Sequence, residues 1–573
     1  MARPRSSSSS LTTALISLHH ELEVTPLGLD LPDAAPLRAE RAEMIDQLAD
    51  YVLPRLLQQD APLLAVVGGS TGAGKSTLVN SLVRERVTTS GVLRPTTRSP
   101  VLVHHPDDSS WFEAGTLLPD LARTTTSTND GGALHLVTSS AVPAGLAVLD
   151  APDVDSVDAQ NRALAGQLLA AADLWIFVTS AARYADQVPW DFLRRAAERS
   201  AAVAIVLDRT SPDAVDEVRG HLARMLSARG LKNSPLFVVP EAPVDSDGLL
   251  PASAVREVRA WLDDLATDKV ARTSIIEQTL DGAVRQIIYR SYVLADAVVL
   301  QEDATAQLQG DVSTAYMDAV EGIEQALEDG SLLRGEVLSR WQEFVGAGDL
   351  ARSMERHASR IRDRITSVVR GRGQSVQEVS AAVETGLHLL LLEQAENAAD
   401  RARTAWASTQ PGRTLLADAP GDLGRASRDF RERADRAVRD WQQRLLETVR
   451  TEGADKRATA KVLAYGVNGL AVTLMVVVFA GTAGLTGLEV GVAGGSAVVG
   501  QKVLEAVFGD QAVRRLAAQA RTDLLLRCQA LLDEEQARFL AVLEAVGAAP
   551  DSSTRLRERA RAVDDARLSQ EAS

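Results

Sequence analysis

Apolar positions follow two different spacings along the chain. From Leu11 to about Gln59 they recur every three or four residues, for example at Met44, Leu48 and Val52, which predicts helices. Farther along, short continuous apolar runs predict buried strands at Leu63–Gly69, Val101–His104, Leu146–Leu149, Leu174–Val178, Val203–Leu207 and Leu236–Val239. Helical stretches separate these runs, so the sequence predicts a doubly wound α/β domain that ends near Asp268.

A helical stripe then continues over a long distance. Apolar residues keep the three-to-four spacing at Leu308, Val312, Ala319 and Ile323, and the pattern breaks at Asp329-Gly330 and at QPGRTLLADAPGDLG. This spacing predicts an antiparallel bundle or stalk. An ordinary helical domain with no mechanical role would have the same periodicity.

The run Val462–Leu488 contains 27 residues without a charge. A bilayer core needs only about 20. Gly487, Gly491 and Gly495 lie at four-residue steps around the end of this run and would form a smooth helix face. Basic residues flank the segment on both sides. We favour a membrane-inserted hairpin over residues 462–508. A single span and a hairpin buried inside the protein are the alternatives, because Lys502 and Glu505 weaken a second pass.

These patterns predict seven segments. They are a disordered tail at 1–10, helices at 11–60 that pack on a neck or stalk, the α/β domain at 61–268, a helical stalk at 269–461, the hydrophobic hairpin at 462–508, a returning stalk helix at 509–548 and a polar tail at 549–573.

Composition excludes several classes of function. The formal net charge of -16 argues against nucleic acid as the main partner, because phosphate contacts need clustered Lys and Arg. A single cysteine, Cys528, excludes an internal disulfide framework and a multi-cysteine metal site. The N-terminus lacks the apolar core of a signal peptide, so we do not expect export. Together with the hydrophobic hairpin, this predicts a protein at the cytoplasmic face of the cell membrane, either membrane-associated or integral.

The stretch VVGGSTGAGKST contains the phosphate-loop pattern Gly69-x4-Gly74-Lys75-Ser76 between a predicted strand and a predicted helix. Backbone N–H groups and the positive helix end would cradle phosphates there. Lys75 would reach the β- and γ-phosphates, and the Ser76 hydroxyl would coordinate Mg²⁺. The predicted phosphate-binding residues are Gly69, Ser70, Thr71, Gly72, Ala73, Gly74, Lys75, Ser76 and Thr77. ATPases, kinases and GTPases share all of these features.

Two further stretches discriminate among those classes. SGVLRPTTRSPVLV places Thr97 where a switch-loop hydroxyl could close over Mg²⁺, although a plain Pro/Thr turn is the simpler interpretation. LAVLDAPDVDS ends a buried strand in Asp150, which could hold the water shell of Mg²⁺. A Walker-type ATPase more often continues with glutamate, whereas Ala151 follows here. The order of loop, threonine and aspartate favours a GTPase.

The set VVGGSTGAGKST, VLRPTTRSP, VLDAPD and IVLDRTSPD, followed by long helices, resembles the dynamin-like large GTPases, particularly the bacterial ones. The motifs cover residues 61 to about 240. The resemblance implies GTP as ligand with Mg²⁺, Lys75 and Ser76 at the phosphates, Thr97 as the switch threonine and Asp150 as the Mg²⁺-linked aspartate. It also implies head dimerisation, stalk self-association, a phospholipid membrane as partner, a possible second dynamin-like protein, and hydrolysis coupled to membrane remodelling, as in division, fusion or repair.

Several residues depart from the family pattern. Asp153 stands where the family has a glycine whose N–H meets the γ-phosphate, and Thr71-Gly72 replaces the Gln-Ser that positions water and a monovalent cation in eukaryotic dynamins. The guanine-reading motif appears only as Asp208-Arg209-Thr210-Ser211. Arg209 could stack on the base, and nearby Asp213 could supply the missing carboxylate.

Arg183, in TSAARYADQVPW, is a candidate catalytic arginine that could reach a phosphate in cis or across a dimer. A surface arginine paired with Asp186 is the alternative that we favour. Two rival functions stay open beside the remodelling GTPase. One is a membrane-anchored GTPase switch without remodelling, and the other is a nucleotide-binding scaffold with little hydrolysis.

Overall fold

The computed structural model describes residues 6–58, 60–88, 99–113, 118, 121–126, 132–156, 159–198, 201–333, 336–345, 373–454, 466–479, 492–546 and 549–571. The chain forms two compact units. The first comprises Met1–Pro26, Asp33–Leu300 and Ala549–Ser573, and the second comprises Leu27–Pro32 and Gln301–Ala548.

An eight-stranded sheet forms the centre of the first unit. Its strands are β1 Leu63–Gly69, β2 Val101–His104, β3 Ala122–Thr124, β4 Ala133–Thr138, β5 Leu146–Asp150, β6 Leu174–Ser180, β7 Ala202–Thr210 and β8 Leu236–Pro240. Their order in the sheet is β3-β4-β2-β5-β1-β6-β7-β8. Neighbours are parallel except for β2 and β5, which are antiparallel. The predicted α/β class is therefore confirmed, and β3 and β4 are additions to the six predicted strands.

The helices of the first unit explain why its strands carry continuous apolar runs. They are α1 Ser6–Val24, α2 Ala34–Gln47, a π-helical turn Leu48–Val52, α3 Leu53–Leu57, α4 Lys75–Val83, α5 Ser109–Glu113, α6 Ala159–Ala170, α7 Gln187–Glu198, α8 Val215–Ala228, α9 Arg256–Thr267 and the start of α10 Lys269–Glu328. Every residue of β1, β5 and β6 is buried. Strands covered on both faces lose the polar-apolar alternation of a half-exposed sheet.

The C-terminal segment differs from its prediction as a polar tail. Residues Ser552–Glu571 form a helix that contacts α1 in the first unit. Leu556, Ala560 and Val563 are buried at helical spacing, and these three positions give an otherwise charged sequence one apolar face. At the other terminus, α1 begins at Ser6, inside the segment predicted as disordered.

The second unit is helical. Besides the part of α10 from Gln301 onward, its described helices are α11 Glu336–Val345, α12 Gly373–Ala407, α13 Gln410–Asp418, α14 Phe430–Ala454, α15 Val467–Phe479, α16 Val492–Phe508 and α17 Asp510–Ala545. Its core is built around buried aromatic side chains. The indole N–H of Trp406 donates to the Leu308 carbonyl (2.9 Å), and that of Trp441 donates to the Ala520 carbonyl (2.8 Å).

The apolar segment predicted as a membrane-inserted hairpin lies, in its described part, inside this core. Helices α15 and α16 contact each other, and α15 also contacts α14 and α17. Residues Gly469–Met475 of α15 are all buried, and Gly500 lies so close to Trp341 that an added Cβ would be 2.9 Å from its ring. None of the helices in the described ranges is both long and apolar enough to cross a membrane. The packing matches the alternative of a buried hairpin, because neighbouring helices of the same unit supply the apolar surroundings.

Candidate functional site

The phosphate loop connects the end of β1 to the start of α4. Gly69 and Gly74 have φ angles of 147° and 100°, a region that favours glycine. An added Cβ at Gly69 would be 2.0 Å from the Val178 carbonyl oxygen, and one at Gly74 would be 1.9 Å from Asp208 Oδ2. The pattern that identified this loop is therefore required by close contacts with the two strands beyond it, β6 and β7.

Lys75 is 5% exposed and its ammonium group lies inside the loop. Its Nζ donates to the carbonyl oxygens of Gly69 and Ser70, both at 3.0 Å, and forms a salt bridge with Asp153. The lysine predicted to bind phosphates therefore holds a carboxylate of its own chain.

Asp150 ends β5 directly beside β1, where it pairs in register with Val67. Its Oδ2 accepts hydrogen bonds from Ser76 Oγ (2.7 Å) and Thr88 Oγ1 (2.8 Å). Its Oδ1 is buried and has no hydrogen-bond partner among the described residues. Burial raises the pKa of this carboxyl, and the two hydroxyl donors oppose that rise.

These groups fit a divalent cation. Mg²⁺ prefers oxygen ligands and usually keeps several waters. The Ser76 hydroxyl and the Asp150 carboxylate present oxygens at one point, and the partnerless Oδ1 would gain a partner from the cation or its water shell. Thr97, the predicted third group, lies outside the described residues.

A second carboxylate, Asp155, binds the phosphate loop from the segment after β5. Its Oδ1 accepts both the backbone N–H and the hydroxyl of Thr71, each at 2.6 Å, and its Oδ2 accepts from Arg183 Nη1 at 2.9 Å. Arg183 is thus joined to the loop through Asp155, and the favoured alternative of a pair with Asp186 is not what forms.

Asp208 and Arg209 lie near the end of β7, at the same edge of the sheet. Burial raises the pKa of Asp208 to about 6, opposed by the hydrogen bond from the Arg209 N–H (2.8 Å). Arg209 itself has a φ of 52°, which is unusual for a side chain of this size. Asp208 contacts the phosphate loop at Gly74, whereas Asp213 lies on the exposed turn that follows.

The fold brings most of the predicted site residues to one edge. Gly69 to Thr77 form the loop and the first turn of α4, and Asp150, Asp153, Arg183 and Asp208 reach it from the ends of β5, β6 and β7. Sequence reasoning missed Thr88 and Asp155. Asp155 had a signal, because the stretch APDVDS places a second acid two residues after Asp153.

One family model matches this part of the chain. Residues 64–208 match the model described as the Dynamin family. The match begins within β1 and ends at Asp208, so it includes the phosphate loop, Asp150, Asp155 and Arg183. No curated protein matches the chain.

Among solved structures, the chain is similar to one described as an oligomerised bacterial dynamin pair for long-range sensing and tethering of membranes. The identity is 10% over 99% of this chain and 96% of that chain, with a TM-score of 0.40. A second structure with the same description has 13% identity over 73% and 80%, with a TM-score of 0.28. LeoA, a bacterial dynamin GTPase from ETEC, has 13% identity over 94% and 97%, with a TM-score of 0.23.

Proposed function

We propose that this chain is a dynamin-like GTPase, because residues 64–208 match the dynamin family, and that it hydrolyses GTP with Mg²⁺ at the phosphate loop and couples that cycle to a membrane. The finer parts of this proposal are the metal, the residue roles and the membrane event. Each depends on particular side chains at the sheet edge or in the helical unit.

The hydrogen bond from Ser76 to Asp150 carries the proposal for the nucleotide site. It joins the hydroxyl that ends the phosphate-loop motif to the aspartate that ends β5, although 74 positions separate the two residues. Ser76 and Asp150 would hold Mg²⁺ there, and the cation would offset the negative charge of the bound phosphates. Lys75 would bind the same phosphates, and the loop N–H groups from Gly69 to Ser76 would orient them.

In this proposal, residues at the end of β7 select the base. Arg209 would stack on guanine, and Asp208 would hold the phosphate loop against β7 through its contact at Gly74. Arg183 would stabilise the charge that develops on the γ-phosphate. An arginine in this role contributes about 10³–10⁵ in rate in other GTPases.

We place the membrane contact at the apolar helices α15 and α16. Membrane association fits the dynamin family, and α15 is the most apolar of the described helices by mean hydropathy. Since α15 is buried in the second unit, contact with lipid would require that its neighbours α14 and α17 separate from it. We propose self-association through the head and the helical unit, with a second dynamin-like protein as a further partner.

Nucleotide turnover tests the enzymatic part. Purified protein should release phosphate from GTP faster than from ATP, and liposomes should raise that rate. Lys75→Ala should abolish nucleotide binding, because it removes the cation that faces the β- and γ-phosphates. Equal or faster turnover of ATP would contradict the choice of guanine, and an active Lys75→Ala variant would contradict the site.

A second function, a nucleotide-dependent scaffold with little hydrolysis, is favoured by one contact. The salt bridge between Lys75 and Asp153 places a negative charge at the group that would bind phosphate. Liposome imaging with GTP separates the remodelling enzyme from both the scaffold and a simple switch. Only the enzyme should tether, tubulate or fuse vesicles while it releases phosphate.

A further inference from the structure

We propose that Asp153 and Asp155 compete with the nucleotide phosphates for the donors of the phosphate loop. We also propose that displacement of Asp155 releases Arg183 to bind the γ-phosphate. The inference deepens the proposed GTPase function and rests on it for the identity of the ligand. Its evidence is the set of contacts that the two carboxylates make with the phosphate loop.

The two carboxylates use donors that a phosphate loop offers to its ligand. Asp153 binds the Lys75 ammonium, and Asp155 binds the backbone N–H and hydroxyl of Thr71. A carboxylate oxygen and a phosphate oxygen are both anionic acceptors, and both form strong charge-assisted hydrogen bonds. Each donor that now binds Asp153 or Asp155 would have to bind a phosphate oxygen instead when a triphosphate is present.

The backbone between the two acids fixes them at this position. Val154 is completely buried, and its N–H donates to the Gly69 carbonyl (3.3 Å), so the segment after Asp150 continues along the end of β1. The side chains of Asp153 and Asp155 are only 16% and 15% exposed. They therefore interact with the loop in partly desolvated surroundings, where charges attract and repel more strongly than in bulk water.

A bound triphosphate and the present contacts exclude one another on electrostatic grounds. Two carboxylates beside the β- and γ-phosphates would place like charges within a few ångströms, which disfavours both. The nucleotide must therefore displace them from Lys75 and Thr71.

The second part of the proposal concerns Arg183. Its side chain is 39% exposed, and its Nη1 donates a hydrogen bond to Asp155 Oδ2 at 2.9 Å. When Asp155 leaves Thr71, Arg183 either follows it or exchanges it for the nearest other anion. In the proposed site that anion is the γ-phosphate, whose charge grows in the transition state. The same contact that restrains the phosphate loop thus keeps the arginine beside the place where it acts.

Nucleotide affinity tests the competition. Asp153→Asn and Asp155→Asn keep the side-chain shape and remove the charge, and Asp155→Ala also removes the acceptor. Each variant should bind a fluorescent GTP analogue about tenfold more tightly than the unchanged protein, the size expected for a charged hydrogen bond. Asp186→Asn is the matched control, because this exposed acid near Arg183 has no side-chain hydrogen bond or ion pair among the described residues. Equal or weaker binding by the Asp153 and Asp155 variants would overturn the proposal.

A double-mutant cycle tests whether Arg183 exchanges Asp155 for the γ-phosphate. In an Arg183→Gln background, Asp155→Asn should raise affinity less than in the unchanged protein, because the freed donor is missing. Additive effects would contradict an exchange of partners at Arg183. Thermal unfolding of each variant distinguishes altered binding from altered folding.

Inorganic tripolyphosphate separates this inference from the proposed function, because it carries the phosphates without a base. If the variants bind tripolyphosphate more tightly but none prefers GTP to ATP, the competition stands and the guanine assignment fails. If the unchanged protein hydrolyses GTP and the variants bind both probes with unchanged affinity, the function stands and the competition is refuted.

Discussion

Each unit buries a carboxylate, and the two acids differ in how completely the chain satisfies them. In the helical unit, Glu535 is completely buried and accepts from Ser427 N (2.8 Å), Ser427 Oγ (2.5 Å), Arg538 Nη1 (2.7 Å) and Arg433. Burial alone would raise the pKa of Glu535, but the hydrogen bonds from Ser427 and Arg538 outweigh that effect, so its pKa is lowered. In the first unit, Asp150 is equally buried, yet its Oδ1 has no hydrogen-bond partner among the described residues and its pKa is raised.

This difference separates a structural acid from a ligand-binding one. A buried polar atom without a partner costs free energy, so proteins retain such atoms mainly where a ligand, ion or water completes them. Glu535 joins the segment before α14 to α17 and has its own donors for both carboxylate oxygens. Asp150 offers one oxygen to the protein and leaves the other for a cation. The following predictions run from the largest expected change in stability to the smallest.

Glu535→Ala should have the largest effect. It leaves Arg433 and Arg538 without their shared buried partner, which costs about 3–5 kcal/mol in comparable buried pairs. Urea unfolding followed by tryptophan fluorescence measures the loss, because Trp341, Trp406 and Trp441 lie in the core of this unit. Glu534→Ala is the control, since Glu534 is exposed and, among the described residues, its carboxylate forms an ion pair with Arg433 only. Similar losses for the two variants would refute the structural role of Glu535.

Asp208→Asn should stabilise the first unit at neutral pH. An aspartate whose folded-state pKa is raised stabilises most when protonated, so its contribution is complete below the ordinary value of 3.8 and is lost as pH rises through about 6. A shift of that size corresponds to at most about 3 kcal/mol. Thermal unfolding at about pH 8 and about pH 4 measures it. The gain should appear only at the higher pH and should be absent in the exposed control Asp213→Asn.

Asp150→Asn should change stability less than the two preceding substitutions, but it should change activity more. The isosteric amide removes a buried charge whose pKa is raised by burial. At pH values above the ordinary pKa of aspartate, the free energy of unfolding should therefore rise or stay the same. Mg²⁺-dependent phosphate release should be lost, because the amide no longer attracts the cation. A large loss of stability in differential scanning fluorimetry would place Asp150 in the same class as Glu535.

Arg401→Ala should have the smallest effect. Arg401 and Asp318 form an ion pair whose side chains are 59% and 38% exposed. Exposed pairs contribute about 0–1 kcal/mol and are screened by salt. Urea unfolding at low and high salt should show little difference from the unchanged protein, and a loss as large as that of Glu535→Ala would remove the distinction between buried and exposed charges in this unit.

Site features formed by residues close together in the chain could be predicted from the sequence, whereas those that depend on contacts between distant residues could not. Strand β1, the phosphate loop and helix α4 are consecutive in the chain, so their residue pattern was sufficient to predict them. Asp150 was found because its strand is an apolar run that ends in an acid. Asp155 was missed because its role depends on Thr71 and Arg183, 84 positions before it and 28 positions after it.

The fold was predictable to the same degree. Helical periodicity predicted the long helices, and apolar runs predicted six of the eight strands. The short β3 and the partly exposed β4 escaped because neither carries a continuous apolar run. The apolar segment of α15 was assigned to a membrane because apolar composition alone does not distinguish lipid from a protein core as its surroundings.

The sequence by itself determined that this chain has a phosphate loop between a buried strand and a helix, an α/β domain around that loop, and long helices after it. Local spacing and backbone geometry are sufficient for such features. Only the tertiary structure decided that α15 packs inside the helical unit, and that Asp153 and Asp155 hold the donors of the phosphate loop. Both depend on which distant surfaces meet, and that is set by the packing of the whole unit rather than by any single stretch.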